Sequence, residues 1–171
     1  MDEAGRQQHE AFMHLALEQA ARAREAGEVP VGAVVVLDGT VVGTGHNLSV
    51  SLNDPTAHAE VLALREAASR VGTYRLVGST LYCTVEPCLM CLGASLHARV
   101  GRVVYGASDL RVGAVARLES LWESRAGLNH RFETIGGVLA GPAASFLLEF
   151  FRERRKDGAL ALSSDTASPS A

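Results

Sequence analysis

The chain has 171 residues, 47% of them hydrophobic and 20% charged, with a net charge of −3. This suits a single soluble domain with a filled core, and it weighs against a dedicated nucleic-acid module, which shows a strong basic excess, without excluding a nucleic-acid partner. No apolar run reaches the ~18 residues of a membrane span and the acidic, polar start MDEAGRQQHE lacks the basic flank of a secretory signal, so the expected location is cytoplasmic.

In chain order, Phe12, Met13, Leu15, Ala16, Leu17 and Ala20 recur at helical spacing, and Gly27 follows as a stop, predicting a first helix over about 10–26. VGAVVVLDGTVVGTGHN places two β-branched runs around Asp38-Gly39, a two-residue hairpin with strands near 32–37 and 40–46. AHAEVLALREAASR favours a helix over about 57–70, STLYCTVE a strand near 79–85, and CLMCLGASLHA after Pro87 a helix whose start tolerates proline. GRVVY reads as a strand at 101–105, with a helix at about 114–124, a strand at about 131–136 and a final helix at about 142–156. The alternation predicts an α/β fold, a mixed sheet covered by helices on both faces, in one domain over 1–158. SSDTASPSA has too little apolar surface to pack, so 159–171 is expected to be a disordered tail.

Two of the three cysteines lie in PCLMC, a spacing open to a redox couple, a structural zinc knuckle or half of a catalytic metal site. An odd cysteine count in a cytosolic chain disfavours a disulfide framework. Cys88 and Cys91 share one face in the first turn of their helix, where the positive end of the dipole favours thiolates. A closed structural zinc needs four protein ligands, and no second CxxC or HxxxH supplies the missing pair. His58 in TAHAE, also opening a helix, is the remaining candidate. One His and two Cys leave a coordination place open, which a catalytic zinc keeps for a water whose pKa falls from about 15.7 to about 7. Glu60, two residues on, can reach that position as a proton carrier. Cys83, on a strand, reads as a small buried hydrophobe, and His46, His97 and His130 as packing or surface residues.

HxE…PCxxC is the arrangement of zinc nucleobase deaminases. Beyond it, EVPVGAV, DPTAHAE, YRLVGSTLYCTVEPCLMC, LHARVGRVVYGA, LNHR and GGVLA make most of residues 10–156 similar to the bacterial tRNA adenosine deaminases. That resemblance implies a cytidine-deaminase-like fold, a five-stranded sheet between helices in three α/β/α layers, and a homodimer. It implies one Zn²⁺ held by His58, Cys88 and Cys91, Glu60 as proton shuttle, and Asn47 as a contact to the nucleoside. It implies hydrolytic conversion of adenosine to inosine at the wobble position of a tRNA anticodon loop. The loop after Tyr105 departs from the family, where DxKxG and a small GS pair are usual: here DLRVG and AVARL stand, with Asp109 kept, Arg111 for the common Lys and Arg117 added. Arginine still suits phosphate.

Fifteen arginines stand against the single Lys156, and three of them, Arg152, Arg154 and Arg155, close the last helix in RERRK. Cations there complement a helix C-terminus without any partner; the resemblance places this helix near the RNA stem. A deaminase of a free purine base or nucleoside, using the same zinc apparatus without need of the basic helix, is the alternative. A binding protein with a structural zinc is a third reading, opposed by Glu60 and the missing fourth ligand.

Overall fold

A computed structural model describes residues 2–123 and 128–164. The elements run α1 (Glu3–Glu25), β1 (Gly32–Leu37), β2 (Thr40–His46), α2 (Ala59–Val71), β3 (Thr80–Val85), α3 (Leu89–Ala98), β4 (Arg102–Ala107), α4 (Val115–Glu123), β5 (Glu133–Ile135) and α5 (Ala140–Ser164). The five strands form one mixed sheet in the order β2-β1-β3-β4-β5. The hairpin β1–β2 and the pair β1–β3 are antiparallel, whereas β3–β4 and β4–β5 are parallel. Asp38 and Gly39 both have positive φ, as a tight hairpin turn requires.

On one face α2, α3 and α4 pack Ala59, Ala63, Leu92, Leu118 and their neighbours against Val35, Leu81 and Val103 of the sheet. On the other, α1 covers Val34, Tyr82 and Val104 with Met13 and Ala16, and α5 packs Ala143 against Leu17 and Ala107. The three-layer α/β/α sandwich is as expected. Cys83 is fully buried on β3, where its thiol donates to the Val104 carbonyl.

Two helices are longer than their periodicity indicates. α1 begins at Glu3 because the Asp2 carboxylate caps it, accepting from Gly5 N at 2.9 Å. α5 continues through the ALALSS stretch to Ser164, so Arg152, Arg154 and Arg155 lie within the helix and have no terminal dipole to complement. The expected tail overlaps the helix at 159–164, and 165–171 fall outside the described residues. No described helix is long and apolar enough to cross a membrane.

Candidate active site

Two helix starts meet beside the carboxyl end of β3. His58 is the N-cap of α2 and Cys88 the N-cap of α3, both in extended backbone, with Cys91 in the first turn of α3. His58 Nδ1 lies 3.7 Å from Cys88 Sγ and 3.5 Å from Cys91 Sγ, and the two sulfurs are 3.6 Å apart. A tetrahedral ion with zinc's Zn–S and Zn–N bond lengths needs donor separations of about 3.6–3.8 Å, so the three atoms already form one face of a zinc site. Among the described residues this is the one group of three or more metal-ligating side chains. The Cys91 thiol and the His58 ring hold Cys88 down to about 4, while the same sulfur contact and burial push Cys91 up. A dication between the sulfurs resolves that conflict by letting both be thiolates, and soft S₂N donors select zinc.

Glu60 stands in the first turn of α2, 4% exposed. Burial pushes its carboxyl above the usual value, against the pull of its own amide and of His58. Asn47, at the end of β2, turns its Oδ1 to Ala59 N at 2.9 Å, doing for α2 what the His58 side chain, committed to the metal group, does not. Asn47 thereby fixes the helix start that carries His58 and Glu60. These residues open onto a cavity of about 340 Å³, at the small end of ligand-site volumes.

Residues 6–107, more than half of the chain, match the cytidine and deoxycytidylate deaminase zinc-binding region. A tRNA-specific adenosine deaminase of Haemophilus influenzae is 47% identical over 149 residues, 86% of each chain. The chain belongs to this zinc deaminase family, in its tRNA-specific adenosine deaminase branch. Among solved structures, a tRNA:A34 deaminase, studied for A-to-I editing at the wobble position, aligns at 42% identity and a TM-score of 0.74, covering 80% of this deaminase and 99% of that chain. A guanine deaminase from Bacillus subtilis is 45% identical at a TM-score of 0.56, over 58% of this deaminase and 64% of that chain.

The remaining residues of the deaminase singled out in the sequence are placed unequally. Asp109 lines the cavity, and its Oδ1 accepts from Arg111 N at 2.8 Å and Val112 N at 3.1 Å, making the turn of its loop. Arg111, Arg152 and Arg155 are exposed and are not among the residues lining the cavity. Arg117 donates to the Gly113 carbonyl at 2.8 Å. Arg154 is engaged within the chain, donating to the Gly27 carbonyl at 2.6 Å and lying over the Phe150 ring. His130 bonds the Val100 carbonyl, a packing role.

Two carboxylates that the sequence reading passed over stand in the cavity wall, Glu28 and Glu86. Glu86 accepts from Asp109 N and Val115 N, both at 3.2 Å, and so grips both ends of the loop after β4. Glu28 binds the loop before α2. Their position at the head of EVPVGA and EPCLMC was the available signal; their partners, backbone amides twenty or more residues away, have no mark in the sequence.

Proposed function

We propose that this deaminase converts adenosine to inosine by hydrolysis in tRNA, at the wobble position of the anticodon. The carrying observation is the His58–Cys88–Cys91 face with buried Glu60 beside it, at a cavity that admits one extruded base. Zinc bound there supplies Lewis-acid activation of water at neutral pH. Water adds at C6 of adenine, one proton goes to ring N1, another accompanies the amino group as ammonia leaves, and inosine remains. Glu60 is the proton carrier for both transfers, because burial keeps a proton on it more readily than on an ordinary carboxylate. Asn47 and Asp109 line the cavity where the nucleoside sits, and Arg111, Arg152 and Arg155 are the exposed cations available to RNA phosphate.

The 47% identity to a tRNA-specific adenosine deaminase along 86% of both chains supports RNA as substrate. We place the enzyme in the cytosol as a homodimer; exposed Leu89 and Met90 beside the metal group on α3 offer apolar surface for a second copy. The similarity to a guanine deaminase favours, as second reading, a free purine base or nucleoside. Incubating the zinc-loaded protein with tRNA transcripts and with free adenosine, adenine, guanine and cytidine decides between them. Inosine at the wobble position is the expected product, and turnover of a free purine with unmodified tRNA supports the second reading.

A further inference from the structure

Glu28 has no part in the proton chemistry, yet it is 2% exposed in the wall of the catalytic cavity. Its Oε1 accepts from Ser51 N and Ser51 Oγ, both at 2.7 Å, and its Oε2 from Val50 N at 3.2 Å. All three donors belong to the connection between β2 and α2, which runs from Asn47 to His58. Burial acts to raise the Glu28 pKa, but the Ser51 and Val50 donors and the charge of Arg154 bring it below the ordinary value, so the carboxylate is ionised at neutral pH.

The turn that carries Glu28 is itself held from α5. Gly27 has φ +74° and its carbonyl accepts from Arg154 Nη2 at 2.6 Å. Nearby, Arg24 pairs with Glu149 at 2.8 Å and with Glu153 at 2.6 Å, tying the end of α1 to the same stretch of α5. Leu147 and Phe151, seven and three residues before Arg154 on one helix face, line the cavity. A continuous set of contacts therefore runs from α5 through the 27–28 turn to the loop at 50–51. That loop displays Val50 at 73% and Leu52 at 55% exposure beside the catalytic opening.

We propose that Arg154 and Glu28 are positioning residues, a relay in which α5 holds the 27–28 turn and Glu28 holds the 48–53 loop in place to seat the substrate. This rests on the deaminase reading for its substrate but not for its loop contacts. It also gives Arg154 a task other than touching phosphate.

The test uses the full zinc-loaded chain, with hydrogen exchange at the 48–53 amides as a readout independent of activity and an anticodon stem-loop RNA as substrate. Glu28→Gln is expected to speed exchange at Val50 and Ser51 and raise KM, each at least about tenfold, with kcat changed by less than about threefold and zinc retained. Arg154→Ala should act in the same direction more weakly, and Arg154→Lys, which keeps a donor for the Gly27 carbonyl, should recover part of the loss. Ser51→Ala, which removes only the Oγ donor of the three, should act more weakly than Glu28→Gln, and adding it to Glu28→Gln should change less than it does alone. Should Glu28→Gln not fold, Ser51→Ala alone carries the exchange prediction. Unchanged exchange overturns the relay; so does a fall in kcat at constant KM, which would put Glu28 on the reacting atoms. Weaker RNA binding by Arg154→Ala with wild-type loop exchange would make Arg154 a phosphate contact instead. A wild-type protein that leaves RNA unmodified defeats the functional reading, while the exchange results still judge the relay.

Discussion

Cys91 is fully buried with its sulfur 3.5 Å from His58 Nδ1, one of the three donor atoms facing the metal position. Cys91→Ala should therefore lose most of the bound zinc, and a full equivalent in the purified, folded variant would show that the ligands lie elsewhere. Glu60→Ala removes the proposed proton carrier and none of the three metal-facing side chains. It should keep zinc and fold yet lose activity by at least about 10²-fold, the lower end for loss of a general acid or base; substantial turnover would reduce Glu60 to a helix residue. Both residues were legible beforehand because His and Cys at such spacing have few other uses and the HxE pattern gains meaning beside them. Glu28 and Glu86 were not. A glutamate in sequence is ordinarily a solvated side chain, and only the fold shows that each grips backbone amides of a distant loop.

The placement of α2 depends on two glycines of the strand beneath it. A Cβ on Gly43 would meet the Ala63 carbonyl oxygen, and one on Gly45 the Ala59 carbonyl oxygen, so the helix lies closer than any side chain allows. Gly45→Ala should cost about 1–3 kcal/mol in urea denaturation, the range for overpacking, and also weaken zinc binding by displacing His58. Stability equal to wild type would mean that α2 is free to lift. Glu66 fastens the same pair of elements, accepting from Thr44 N at 2.7 Å and Thr44 Oγ at 2.9 Å. The Thr44 amide, against burial, holds its carboxyl below the usual 4.5. A depressed folded pKa gives stability that is present above the usual carboxylate range and lost as pH falls through the folded value. The stability gap between wild type and Glu66→Gln should thus be open at neutral pH and close as the pH falls below the usual carboxylate range; a gap independent of pH would assign Glu66 a purely packing role. Strand periodicity and the Asp38-Gly39 turn made the hairpin readable to the residue. The end of α5 was not, because the RERRK charges look like a helix terminus until the following Ala and Leu residues are seen to continue it.

For a protein of net charge −3, the proposed action on a polyanion needs positive charge concentrated in one place, and α5 is where three arginines and Lys156 gather. The fold divides these arginines by role. Arg154 is spent on the Gly27 carbonyl and the Phe150 ring, whereas Arg152 and Arg155 are exposed and lie outside the cavity lining. Phosphate contacts release counterions, and each removes about 0.9 from the slope of log affinity against log salt for a duplex or about 0.7 for a single strand. Neutralising Arg152 and Arg155 together should then weaken tRNA binding and flatten that slope by up to about 1.4–1.8, with kcat on a saturating anticodon stem-loop little changed. Arg154→Ala should leave the slope near that of the wild type, since its effect passes through the loop. Binding isotherms of tRNA over a salt series distinguish the two. An unchanged slope in the double variant would take α5 off the RNA surface, and if tRNA were also unmodified while a free purine turned over, the small-molecule reading would replace RNA editing.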